Sequence, residues 1–75
     1  MTDFVICIDN AGNPASLIVG RVYHRLSDPE AEAHQMLRIV DEDKSEPGGY
    51  LYPAASFAPI EIPDAARRAL MAAGG

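Results

Sequence analysis

The sequence predicts a mainly β fold: a small five-stranded barrel with one short helix in a loop and a second helix at its C-terminal end. Three observations predict it. Short apolar or β-branched runs recur along the chain, each bounded by Gly, Pro, Asn or Asp. One Asp-Pro-Glu helix start interrupts them, at positions 28–30. A Pro-Asp pair at 63–64 precedes an Ala-rich stretch with helical spacing.

Residues 4–8 are apolar without a break and end in Asp9 and Asn10. That length and β-branching favour a strand buried on both faces over a helix. Residues 10–14 form a dense turn cluster, in which Asn10, Gly12 and Asn13 tolerate positive φ and Pro14 offers no donor. Residues 16–26 read as a second strand with a bulge or sharp bend at Gly20. Alternation there puts Val22, His24 and Leu26 on one face and Arg21, Tyr23 and Arg25 on the other.

Ser27 or Asp28 can cap the helix that follows, Pro29 suits its first position, and Glu30 and Glu32 favour the positive end of its dipole. Residues 29–34 hold one or two turns, too few to stand alone. Residues 36–40 make the third strand. The polar turn at 41–49 contains one proline and two glycines, and its length predicts a mobile tip. Residues 50–52 are the fourth strand. Pro53 ends it, and a single 3₁₀ turn fits residues 53–56. Residues 57–62 resume as a fifth strand. Asp64 then caps a last helix whose Ala66, Ala69, Leu70 and Ala73 form one apolar stripe, and Gly74-Gly75 ends it. The domain reading is a barrel over residues 1–62 and a helix over 63–75 that packs on the barrel or on a partner.

The stretch G-Y-L-Y-P-A-A-S-F at 49–57 resembles the end of an SH3 domain, where a Gly-aromatic strand leads into Pro, a 3₁₀ turn and an aromatic. The wider pattern resembles a group of small bacterial and phage SH3-like β-barrel proteins of uncharacterised function. It is carried by Leu17, Gly20 and Tyr23, by D-P-E-A-E at 28–32, by R-I-V-D-E at 38–42 and by Y-L-Y-P-A at 50–54. The resemblance covers roughly residues 4–62. It implies an SH3-like barrel and supplies no activity. Two features depart from it. Peptide-binding SH3 domains use a Trp beside an acidic loop, and this chain has no Trp, which argues against proline-rich ligands. The turn at 41–49 is also longer than in the bacterial group.

Charge narrows the function classes. Six basic residues against eleven acidic ones give a formal net charge of −5. Phosphate binding normally shows a basic patch, so nucleic acid and anionic membranes are disfavoured and a basic protein partner is favoured. Cys7 is the single cysteine and lies in an apolar run, which predicts a buried structural thiol. The N-terminus lacks the basic start and apolar region of a signal peptide, and a cytoplasmic location is expected.

No catalytic, cofactor or metal signature stands out. His24, His34 and Cys7 do not have zinc-ligand spacing. The serines lack a nucleophile context, and Gly48-Gly49 lacks the Gly-Lys-Ser/Thr of a phosphate loop. The candidate partner-binding residues are therefore of two kinds. Tyr23, Tyr50, Tyr52, Pro53 and Phe57 could form an aromatic strip. Asp28, Glu30, Glu32, Asp41, Glu42 and Asp43 could act together if their two loops lie side by side. Tyr50 and Tyr52 share one strand face and Leu51 takes the other. If Leu51 points inward, the tyrosines are an exposed platform; if they point inward, the platform disappears.

The first expectation is a non-enzymatic protein-interaction module. The second is an acidic inhibitor or decoy, of the sort carried by phages and mobile elements, that blocks a basic nucleic-acid-binding protein. A third, direct nucleic-acid binding, would use Arg21, Tyr23, Arg25 and Arg38. Exposed strand edges and a docking helix also permit a homodimer.

Overall fold

A computed structural model describes residues 4–43 and 45–72. The Met-Thr-Asp start, Lys44 near the tip of the 41–49 turn, Ala73 of the last helix and its Gly-Gly stop lie outside the described residues. The chain runs through β1 (Phe4–Cys7), β2 (Val22–Leu26), α1 (Pro29–Ala33), β3 (Met36–Val40), β4 (Tyr50–Pro53), a 3₁₀ turn (Ala54–Ser56), β5 (Phe57–Pro59) and α2 (Asp64–Ala72). The five strands form one antiparallel sheet in the order β4-β3-β2-β1-β5.

The sheet is open, with β4 and β5 as its two edges. The closure expected from the sequence is not seen among the described residues. Pro53 at the end of β4 and Pro59 at the end of β5 each lack a ladder donor, and β5 is only three residues long. The 3₁₀ turn carries the chain between the edges instead of zipping them together.

The register fixes the faces. Val5 opposes Tyr23, Cys7 opposes Phe57, Arg25 opposes Ile39 and Leu37 opposes Tyr52. The core is therefore built on the face that carries Arg21, Tyr23 and Arg25, the more polar of the two on β2. Val5, Cys7, Tyr23, Ile39, Tyr52 and Phe57 form the buried cluster, with Leu37 packed against it. Phe57 sits between the two tyrosines, with ring centroids 6.4 Å from Tyr23 and 6.3 Å from Tyr52, both edge-on. Each such ring contributes roughly 1.5–3 kcal/mol by leaving water, and each edge-on pair about 0.5–1.5 kcal/mol more.

The segment before β2 corrects the sequence reading. Residues 16–19 are not strand. Ser16 and Leu17 N–H groups bond back to the Asn13 carbonyl, Asn13 N–H to that of Asn10, and Arg21 N–H to that of Ile18. Local turn chemistry outcompetes the ladder here. The result drops Leu17, 0% exposed, into the end of the core as a plug. Gly20, at φ +89°, makes the bend into β2 and donates its N–H to the Cys7 carbonyl. β5 likewise stops at Pro59 rather than at residue 62.

Two left-handed residues set the other corners. Gly49 has φ +67°, and a Cβ there would lie 2.6 Å from the Ile39 carbonyl oxygen. Gln35, at φ +62°, turns the chain from α1 into β3, and its carbonyl accepts the Ala54 N–H at 2.9 Å.

On the opposite face Phe4 is buried beneath His24, 5.3 Å away between centroids, and the Arg67 guanidinium of α2, 5.4 Å from the ring. The expected Ala stripe does not make this contact: Ala66 and Ala69 are exposed, and Leu70 is half-buried. The cation-aromatic contact turns the Arg67 side toward the sheet. Among the described residues no helix is long and apolar enough to cross a membrane.

Candidate functional site

The aromatic residues do not form an exposed strip. Tyr23, Tyr52 and Phe57 are core, and of the paired tyrosines only Tyr50 reaches solvent, at 43% exposure against 6% for Tyr52. Leu51 points outward and Pro53 is exposed. Tyr50 shares the inner face with Tyr52 but lies opposite Ile39 at the end of the sheet, beyond the packed rings. The platform is thus reduced to a single ring.

The buried tyrosines keep their hydroxyls satisfied through the acids. Tyr23 donates to Glu42 at 2.5 Å and accepts the Ile18 N–H at 2.8 Å. Burial, reinforced by the Glu42 carboxylate, pushes the Tyr23 hydroxyl up to about 12. Tyr52 donates to buried Asp41, which also accepts the Asp43 N–H at 2.8 Å. Burial first and Asp41 second raise Tyr52 above the usual phenol range. The stretch 41–43 is therefore partly structural.

The acids expected to act together lie apart. Asp28, Glu30 and Glu32 belong to the α1 end of β3, and Asp41, Glu42 and Asp43 to the other end. Five strand residues, about 16 Å at 3.3 Å each, separate them. Three of the six acids also face arginines. Glu32 meets Arg25 at 2.7 Å, Asp28 meets Arg38 at 2.9 Å, and Glu42 meets Arg21 at 3.1 Å. Asp28 caps α1 by accepting the Ala31 N–H, and this bond, with Arg38 second, holds its carboxyl below the usual range. Glu30 is exposed. The same pairs engage Arg21, Arg25 and Arg38, the cations that a nucleic-acid face would have used.

What remains at the far end is an acidic cleft around one exposed ring. Asn13, Ser16, Asp41, Asp43, Tyr50 and Leu51 line a space of about 310 Å³. Asp43 accepts from the Ser45 hydroxyl at 2.5 Å and its N–H at 3.1 Å, which lowers its carboxyl, and the Tyr50 hydroxyl approaches it at 3.5 Å. Partial desolvation and then the charges of Asp43, Glu46 and Asp41 raise the Tyr50 hydroxyl. Asp41, Asp43 and Glu46 accept from hydroxyls and backbone amides, in contrast to the three arginine-paired acids. Glu46 and Leu51 were not singled out by the sequence. Their only signal was position, one beside the turn glycines and the other between two tyrosines.

A second concavity, of about 480 Å³, opens at the α1 end between β5 and α1. Val5, Leu37, Phe57 and Pro59 wall it, and the Arg25–Glu32 pair lies within it. Cys7 is buried, with its thiol 3.7 Å from the Asp9 carbonyl oxygen. Among the described residues no three His, Cys, Asp or Glu side chains converge as a metal site would require. No family model matches the chain, and no curated protein and no solved structure is detectably similar to it.

Proposed function

We propose that this chain is a non-enzymatic protein-interaction module built on an SH3-like barrel left open along one seam, and that its acidic end takes a basic segment of another protein. The framework reading is supported by the meander of β1 to β4, the return of β5 to pair with β1, and the 3₁₀ turn between β4 and β5. The observation that carries the interaction reading is Tyr50. It is an exposed ring on a free sheet edge, beside apolar Leu51, in the field of Asp41, Asp43 and Glu46. A Lys or Arg side chain can stack on such a ring while its charge meets the carboxylates. A second copy of the chain would bring like charges together at this edge, so a basic partner is preferred to a homodimer.

The non-catalytic reading is supported by how the acids are used. Each of Asp41, Glu42 and Asp43 is engaged by hydrogen bonds from its own fold: Asp41 by Tyr52 and the Asp43 N–H, Glu42 by Tyr23, and Asp43 by Ser45. The inhibitor or decoy reading draws on the same net charge. It is the weaker one, because its acidic groups are split between the two ends of β3 and three of them are paired with arginine.

The test is affinity capture from the source cell with the full chain as bait. A basic partner should be retained at low salt and released near 1 M salt, where the screening length is about 3 Å. It should be lost with Tyr50→Ala or with Asp43→Asn combined with Glu46→Gln, under conditions where unfolding curves match the parent. Retention by these variants would refute the assignment of the site.

A further inference from the structure

Building on the assignment of a basic partner to the acidic end, on which this inference rests, we propose that the partner's segment adds to β4 as an extended antiparallel strand, with an apolar residue hydrogen-bonded to Leu51 and a Lys or Arg next to it over Tyr50.

The backbone bonds of the sheet leave one place for such a strand. Successive peptide groups point to opposite sides of a strand, so a few bonds orient all five. The Cys7 N–H donates to the Arg21 carbonyl at 3.0 Å, and the Ile8 N–H to that of Ser56 at 2.8 Å. Carried through the registers, this alternation makes Val5 and Tyr23, His24 and Val40, and Leu37 and Tyr52 hydrogen-bonded pairs. The Ala54 N–H on the Gln35 carbonyl, at 2.9 Å, continues the same phase beyond β4. Tyr50 and Tyr52 therefore turn their peptide groups to β3, and Leu51 and Pro53 turn theirs to the open side. Pro53 has no N–H to offer. On β5, Ala58 faces β1 while Phe57 and Pro59 face outward. The Ala54 carbonyl takes the Phe57 N–H, and Pro59 has none. Among the described residues of the two edge strands, Leu51 alone presents both a donor and an acceptor outward.

An added strand thus has a fixed register, with one residue exchanging both backbone bonds with Leu51. Cross-strand partners share a face. That residue stands beside the Leu51 side chain, 45% exposed, with Arg38 on the far side of it. An apolar side chain covers Leu51 there, whereas a basic one would meet the Arg38 charge. The residues on either side of it fall on the inner face, one of them next to Tyr50. A Lys or Arg at that place stacks on the Tyr50 ring and reaches Asp43, whose carboxylate is 3.5 Å from the Tyr50 hydroxyl. The edge therefore selects a segment in which apolar and basic residues alternate, with no proline at the apolar position.

The test is amide-resolved NMR and hydrogen exchange on the full chain at low salt. In the free chain the Tyr52 amide should exchange slowly and the Leu51 amide fast. The probe is the capped peptide Thr-Lys-Val-Lys-Val-Lys-Thr. It should give saturable shifts centred on Leu51 and, at saturation, slow Leu51 exchange at least tenfold. N-methylation of its two valines should weaken binding at least tenfold, and N-methylation of two of its lysines, at the same charge, less than threefold. A peptide with glutamates in place of the lysines should not bind. Equal loss from the two methylation patterns, or binding that leaves Leu51 exchange unchanged, would overturn strand pairing and leave the acidic end as a basic-partner site. Equal binding by the glutamate peptide, or no saturable binding at millimolar peptide, would remove the basic-partner reading and this inference with it.

Discussion

The Tyr23 hydroxyl donates to Glu42 Oε2 at 2.5 Å across 19 positions of sequence, and the Tyr23 hydroxyl oxygen itself accepts the Ile18 N–H at 2.8 Å. One phenol thus ties β2, the end of β3 and the loop that carries the Leu17 plug.

Replacing Tyr23 by Phe should cost about 1–3 kcal/mol, because the Ile18 N–H and Glu42 lose a buried partner while the ring still packs. Its pH dependence has a definite sign. The folded-state value near 12 lies above the ordinary 10, so the stabilisation is complete below pH 10 and is lost as pH rises from 10 through 12. Urea unfolding at pH 9 and pH 11 should show parent and Tyr23→Phe converging at the higher pH.

Gly49→Ala should destabilise the fold by more than about 2 kcal/mol. The new methyl would have to occupy a left-handed residue and would meet the Ile39 carbonyl at 2.6 Å. Gly12→Ala, which meets nothing within 4 Å, should cost less, since its strain is backbone strain alone. Paired denaturation curves give the comparison directly.

Leu17→Ala should cost about 2–5 kcal/mol, the range for emptying a fully buried leucine site. In a domain of this size that is a large part of the total stability. Ile18→Ala, one residue on and exposed, should lie within about 0.5 kcal/mol of the parent. Equal effects would mean that the loop does not plug the core.

Gln35→Gly should stabilise the fold by about 0.5–1 kcal/mol. It relieves a left-handed penalty of roughly 1–2 kcal/mol and returns part of it as unfolded-chain entropy. A raised urea midpoint with an unchanged slope is the expected result.

These residues also show what the sequence made legible. β3, the start of α1 and the 3₁₀ turn rest on local chemistry: β-branched Ile39 and Val40, the cap at Asp28, and Pro53 as a stop. Each was readable within a few residues. The inner face of β2 was not. Arg21, Tyr23 and Arg25 look like a solvent face, yet Tyr23 and Arg25 are buried, where Glu42 and Glu32 meet them from elsewhere in the chain. Leu17 was hidden for a related reason: its neighbours Ile18 and Val19 are equally apolar, and the turns at Asn13 and Gly20 alone decide which of them points inward. The acidic end was half legible. Its charges were plain, but which of them the arginines would engage depended on the register of the sheet. The apolar pocket left no trace in the sequence, since its walls come from β1, β3 and β5.

Cys7 adds a property of a different kind. It is the only cysteine in the chain, and it lies buried on β1 between β2 and β5. A thiol reagent reaches it when the core residues packed over it move away. The molecule thus carries its own gauge of opening. The rate at which Cys7 is modified, relative to an unfolded control, counts how often the core opens, and anything that grips the folded form should slow that clock in proportion to how firmly it holds.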